Sequence, residues 1–332
     1  MVRNDIVTVT LNPTVDLSME VDALTAEGKN RARMNSVRAG GGGINVARCI
    51  ARLGGCATAI HTTGREAGRR LDRLLDAEGL RHVGIRIDSD TREAFVIADV
   101  SSGSSYHVVP PGPRLTTSEE SLLINSIRTA CAEAGFLVVS GSATSELRDD
   151  FSAQLVRERP SSTKVILDIG GDQLRTALTE HSFLIRLDRH EGAALLGRQI
   201  TSHADARAVN DLLLAGRSCD HAVTTVGALG AVYSDHRAHY EISAPPLPHP
   251  FRSDACAGDS LVAAITYYLA AGREPLRACE FGVAAAAATV QLPGTDVFDR
   301  AGMAALVRRV RSRRISRNAS FAAAPGEPVG NS

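Results

Sequence analysis

Much of what this 332-residue chain lacks is informative. It has no charge imbalance: 37 basic and 37 acidic side chains cancel, so a general electrostatic footprint for nucleic acid or an anionic membrane is absent. It has no apolar run of about 18 residues, so no membrane span is expected; the longest candidate, around VAAAAATVQL, is short and alanine-rich. The opening MVRNDIVTVTLNPTVD carries no apolar run of signal-peptide type. The six cysteines form no CxxC pair, and no histidine cluster sits at zinc spacing. A reduced, cytoplasmic protein is the expectation. No GxxxxGK[ST] occurs, which excludes a Walker-type loop, and GGGGINV at 40–46 does not fit GxGxxG.

What is present reads as an ordinary globular chain, 44% hydrophobic and 22% charged. IVTVTL at 6–11 is short and β-branched, the pattern of a buried strand. INVARCIARL at 44–53 and residues 66–78 carry apolar side chains at helical spacing and stop at Gly54 and Gly79. Thr117 with Glu120 resembles a capping box for a helix reaching about Ala134. FLVVS, KVILD, FLIRL and HAVTTV follow as strands, mostly separated by helical stretches. This alternation predicts an α/β fold: a mostly parallel sheet with helices on both faces.

Two segments interrupt the rhythm. Residues 15–36 read as strands without an intervening helix, and 92–110 as a hairpin turning around Ser102–Ser105. Together they predict a small β lid over 15–36 and 89–111, standing off a core formed by 1–14, 37–88 and 112–311. In KNRAR, Lys29, Arg31 and Arg33 alternate, so one face of that strand would carry three cations; a charge-defended edge strand is the plain alternative. The polar, Pro/Gly-bearing stretch 312–332 is expected to be a disordered tail.

Two stretches suit chemistry. Four glycines open a helix at 40–43, where a ligand could approach the backbone closely. In SDACAGDSLVAAI an apolar helix is expected to begin at Asp259, and the amides of 256–259 could converge on a transferable phosphoryl group while Asp259 accepts a proton. Asp and Ser also simply start helices.

The combination VTLNPTVD, EGKNR, GGGGINVARCIARLGG and AGDS resembles the PfkB family of ribokinase-like carbohydrate kinases, over about residues 6–311. Within it the chain is most similar to the minor ATP-dependent 6-phosphofructokinases, the 1-phosphofructokinases and the tagatose-6-phosphate kinases. The resemblance implies ATP as co-substrate, Mg²⁺, a small-molecule sugar phosphate, and a homodimer through the lid sheets. It puts the catalytic base on Asp259, with Cys256, Ala257 and Gly258 in the anion hole. Asp16, Gly41, Gly42 and Asn45 would hold the sugar, with Ser142 in a neighbouring loop. Lys29 and Arg92 would hold the substrate's phosphate. Thr225, Gly227 and Gly230 would face the nucleotide, and Asp168 would lie near the reaction centre. Asp188 and Glu191 would hold Mg²⁺ through water.

Departures from the family pattern are visible. Its GAGD is CAGD here, its KPNxxE is RLDRHE at 186–191, and its SGSLPPG is SGSATSE at 140–146. Ala286 and Ala287 stand where Gly and Ser are usual. Three functions stay open at this level: a hexose-phosphate kinase (6-phosphofructokinase, 1-phosphofructokinase or tagatose-6-phosphate kinase), a kinase of an unphosphorylated sugar or nucleoside, and a non-catalytic ligand-binding relative.

Overall fold

The computed structural model describes residues 5–144, 146–248 and 251–317. The chain opens with β1 (Ile6–Thr10), fully buried as its IVTVT sequence demands. It then leaves the core for β2 (Thr14–Val21) and β3 (Arg33–Gly40), and returns with α1 (Gly42–Arg52), β4 (Ala57–Gly64), α2 (Arg65–Ala77) and β5 (His82–Ile87). A second excursion forms β6 (Arg92–Asp99) and β7 (Ser104–Val108). The rest alternates: α3 (Thr117–Cys131), β8 (Phe136–Ser140), α4 (Phe151–Glu158), β9 (Lys164–Asp168), α5 (Gly171–Ala177), β10 (Ser182–Leu187), α6 (Arg189–Leu196), α7 (His203–Ala215) and β11 (Cys219–Thr225). The hairpin β12 (Gly230–Ser234) and β13 (Ala238–Ser243) leads to α8 (Ala257–Ala270), α9 (Pro275–Thr289), α10 (Arg300–Val307) and β14 (Arg311–Ser316).

The large sheet runs β14-β13-β12-β11-β10-β9-β8-β1-β4-β5, parallel from β11 to β5 and antiparallel beyond β11. Two apolar cores cover its faces. One includes residues of α1, α2, α8, α9 and α10, the other residues of α3, α4, α5 and α7. Helices α8 and α9 pack closely because Gly282 has no side chain. A Cβ there would stand 3.0 Å from the Leu261 carbonyl oxygen. The second sheet, β3-β2-β6-β7, has four strands. Strand β1 is flanked by β4 on one side and β8 on the other, so the carboxyl end of β1 is a switch point where connections diverge. Open parallel sheets bind ligands at such crevices.

The structure corrects several sequence expectations. The capping box is formed by Thr116 and Glu119, one residue before the predicted pair, and α3 ends at Cys131. Lys29 and Arg31 lie outside any strand, so the three cations do not share a strand face; only Arg33 enters β3. Strand β3 continues to Gly40, carrying the small sheet into the glycine loop beyond the residue-37 boundary. Residues 311–316, assigned in part to the tail, form β14 instead. It pairs with β13, and its Arg313 binds the buried Glu241 at 2.6 Å. The remainder of the predicted tail, from 318, lies outside the described residues.

Candidate active site

Helix α8 begins at Ala257, two residues before the predicted start. Its N-cap, Cys256, sits in the left-handed region at φ +60° and ψ 4°, a conformation that usually favours glycine. The CAGD departure therefore falls at a position where a side chain is strained. The thiol is directed at the Thr295 carbonyl, 3.7 Å away, rather than across the helix mouth. Its pKa is pushed well above the usual thiol value, chiefly by desolvation and then by the charge of Asp259, which disfavours the thiolate. Ala257 donates its amide to Asp254 O at 3.2 Å, so the predicted convergence of four amides is incomplete. The amides of Gly258 and Asp259 make no bond to another described residue and remain available to an anion.

Asp259, in the first turn of α8, turns its carboxylate toward the other strands. Asn45 Nδ2, from the first turns of α1, donates to Oδ2 at 2.9 Å, and Ser140 Oγ, at the end of β8, lies 3.4 Å from Oδ1. Burial is the main force raising its pKa to about 7, with the negative charge of Asp168 adding to it. Asn45, Arg186 and Ser140 pull the other way.

Each partner is itself fixed. Arg48, one helical turn beyond Asn45 and 3% exposed, donates to Asn45 Oδ1 at 2.6 Å and to Ala39 O. Its other donors bind Glu78 at 2.6 and 3.0 Å. Because Arg48 can only donate, Asn45 must present its amide nitrogen to Asp259. On the other side, Ser140 Oγ bonds Asp168 Oδ2 at 2.8 Å, and Arg186 Nη1 bonds Asp168 Oδ1 at 2.8 Å. Arg186 Nη2 reaches Thr225 Oγ1 at 3.0 Å. The guanidinium also packs against Gly258: a Cβ there would meet Nη1 at 2.8 Å.

The glycine loop closes the other wall. Gly41 has φ +112°, and Gly42 lies so close to Ser140 that a Cβ would stand 2.5 Å from its Oγ. Gly40 similarly leaves room for the Asp16 carboxylate of β2. Burial pushes Asp16 up to about 6, against the pull of Arg48, Thr14 and Arg92. Arg92, at the start of β6, is anchored by two backbone carbonyls, Asn12 at 2.9 Å and Pro110 at 3.3 Å, while its buried Nε has no partner.

Not every predicted residue joins this group. Lys29 is exposed, without a hydrogen bond or ion pair to a described residue. Ser142 is also exposed and unbonded among the described residues; Ser140, two positions earlier, occupies the centre instead. Gly227 has φ +54° and room for a Cβ beside Arg189 Nη1 at 3.7 Å, whereas Gly230 is needed for packing, since a Cβ would strike Ile242 O. Asp188 and Glu191 cap α6: Asp188 Oδ1 accepts from the amides of His190 and Glu191, and Glu191 Oε2 accepts from the Asp188 amide. Glu191 keeps Oε1 free beside Gly170. Burial, and then Asp168, push its pKa up to about 7.

Arg48, Ser140 and Arg186 were given no role from sequence. The available signal was position. Ser140, Asp168, Arg186 and Thr225 all lie at or next to the carboxyl ends of adjacent parallel strands.

Comparison with known proteins identifies the family. Residues 8–300 match the family model described as pfkB family carbohydrate kinase. The chain is 34% identical over 297 residues to an ATP-dependent 6-phosphofructokinase isozyme 2 of Mycobacterium tuberculosis, covering 89% of this chain and 86% of that one. It is 29% identical to a 1-phosphofructokinase of Borreliella burgdorferi, over 86% and 91% of the two chains. Among solved structures, phosphofructokinase-2 from Escherichia coli in complex with potassium superposes with a TM-score of 0.86 at 31% identity, over 93% of this chain and 99% of that one. A structure of that enzyme described as its tetrameric inhibited form gives 0.84, with the same identity and coverage. The chain belongs to the pfkB family of carbohydrate kinases and is an ATP-dependent sugar kinase of the phosphofructokinase type.

Proposed function

We propose that the protein transfers the γ-phosphoryl group of ATP to fructose 6-phosphate, with Asp259 as general base. The observation that carries this reading is the position of Asp259. Its carboxylate is half-buried, oriented by Asn45, and placed at the mouth of α8 beside the unbonded amides of Gly258 and Asp259. Asp259 takes the proton of the attacking primary hydroxyl, and the amides and Arg186 stabilise charge on the transferred group. Direct in-line transfer needs no phospho-enzyme. Asp16 and Asn45 orient the sugar, and Arg92 meets its phosphate, helped by Lys29 from the neighbouring loop. Thr225 and Gly227 face the nucleotide.

The oxygen-only donor set around Glu191 and Asp188 suits Mg²⁺ held largely through water, since Glu191 Oε1 is unbonded while Asp188 Oδ1 is committed to the cap. Bound there, the ion would neutralise nucleotide phosphate charge. The small sheet acts as a lid, excluding water so that ATP is not hydrolysed wastefully. Its edge strand β7 is exposed throughout, with Tyr106 and Val108 uncovered, which supports pairing of two copies through this sheet.

A substrate panel tests the reading. ADP release is expected with the highest kcat/KM on fructose 6-phosphate, compared with tagatose 6-phosphate, fructose 1-phosphate, fructose and a nucleoside. A preference for another substrate reassigns the specificity. ATP binding without turnover on any of them removes the catalytic reading.

The pH dependence has two opposed parts. Only ionised Asp259 can accept a proton, so kcat/KM should fall about tenfold per pH unit below about 7. Stability runs the other way. The folded pKa of Asp259 lies above its ordinary value of 3.8, so its contribution is fully present below that value and is lost as pH rises through about 7. Initial rates from pH ~5 to ~9, with thermal melts on the same samples, check both signs.

A further inference from the structure

A second cluster of ionisable side chains lies outside the kinase site. His61 on β4, Asp72 on α2 and His82 on β5 bring one ligand atom each within 4.8 Å of one another. His61 is fully buried, and its Nε2 lies 3.1 Å from His82 Nδ1 and 3.8 Å from Asp72 Oδ1.

The hydrogen bonds around the cluster determine what those atoms carry. His61 Nδ1 lies 3.0 Å from Thr62 O, a carbonyl that can only accept, so the ring proton is on Nδ1 and Nε2 is a bare lone pair. His82 Nε2 lies 3.2 Å from Asp76 Oδ1, which places that ring's proton on Nε2 and leaves Nδ1 bare. Asp72 Oδ2 accepts from Thr63 Oγ1 at 3.0 Å, while Oδ1 is buried with no hydrogen-bond partner. Three electron-pair donors therefore face one point with no hydrogen among them. The outer atom of each is tied by a separate neighbour, the support that metal ligands receive. Space is reserved as well: a Cβ on Gly84 would stand 3.1 Å from Asp72 Oδ1 and 3.4 Å from the His61 ring.

We propose that His61, Asp72 and His82 form a binding site for a divalent transition metal ion of the zinc type, clamping α2 and edge strand β5 to β4. Two imidazoles and one carboxylate are borderline ligands that favour such an ion over Mg²⁺. Tetrahedral ligands at zinc distances lie roughly 3.3 Å apart, near the 3.1 and 3.8 Å that separate His61 Nε2 from His82 Nδ1 and Asp72 Oδ1. A shared proton would bridge the two histidines but leave Asp72 Oδ1 without a partner. The role is structural: the metal binds the folded arrangement of three elements, and so stabilises it.

The test uses the full chain without a polyhistidine tag, stripped with chelator and titrated with ZnCl₂ by calorimetry. CoCl₂ serves as a visible-absorption probe. One zinc per chain is expected, unaffected by excess Mg²⁺. The melting temperature should rise by about 5 °C at roughly 100 times Kd. His82→Gln and, separately, Asp72→Asn should each weaken zinc binding at least about tenfold and remove the cobalt band. Both sites are partly exposed, so at least one variant should retain the fold. Zinc binding unchanged in a folded variant, no thermal shift in the parent, or binding lost instead on Cys56→Ser, at the exposed cysteine just before β4, would overturn the assignment. These readouts do not depend on kinase turnover, so failure of the metal site and failure of the substrate assignment are distinguishable.

Discussion

Asp259→Asn is expected to lower kcat by about 10³- to 10⁴-fold, the range for loss of a positioned general base. The substitution keeps the shape of the site. The new amide oxygen can accept from Asn45 Nδ2, and the new amide nitrogen can donate to Ser140 Oγ, so the hydrogen-bond chain from Arg48 to Asp168 survives. It also removes a carboxylate that resists ionising in place. The melting temperature above pH ~7 should therefore hold or rise. ATP affinity, read by equilibrium titration, should be nearly unchanged because the α8 amides remain. A loss smaller than about tenfold with the fold intact would take the proton-accepting role away from Asp259. Loss of ATP binding along with activity would instead assign it to nucleotide positioning.

Arg92→Ala should raise KM for fructose 6-phosphate by about 10- to 100-fold, the scale of a hydrogen bond between charged groups. For fructose the change should be within about threefold. The basis is geometric: the guanidinium is held by the carbonyls of Asn12 and Pro110, faces Asp16, and has an unused buried Nε. A preset cation loses little freedom when a phosphate arrives. Lys29 is exposed and has no partner among the described residues, so Lys29→Ala should have the smaller effect. Steady-state rates on the two substrates check the split. Equal effects on both would mean that Arg92 shapes the lid hinge and does not read phosphate.

The core was legible because its signals are local. Buried strands such as FLVVS and KVILD are continuous apolar runs, and glycine stops bound the helices. The glycine loop and AGD stretch located two halves of the candidate site. What stayed hidden depends on tertiary contact. Arg48 looked like another charged helix residue until β3 supplied the Ala39 carbonyl and the residue capping α2, Glu78, supplied a carboxylate. Arg186 acquired its setting only when β9 and β11 paired on either side of β10. KNRAR suggested a cationic strand by alternation, but Gly28 at φ +88° and the Thr25–Asn30 hydrogen bonds hold 25–30 as a loop. Residues 312–316 looked like tail because their polarity hid a strand whose pairing is backbone to backbone, helped by Glu241. His61, Asp72 and His82 escaped a search for zinc spacing because three different elements supply them.

The bond between Asn45 and Asp259 joins residues 214 positions apart. During synthesis at ~5–20 residues per second, Asn45 would therefore leave the ribosome roughly 10–40 s before Asp259. A nascent chain in that interval has the glycine loop and Arg48 but no α8. On the proposed roles, the crevice can therefore close only after residue 259 has been made.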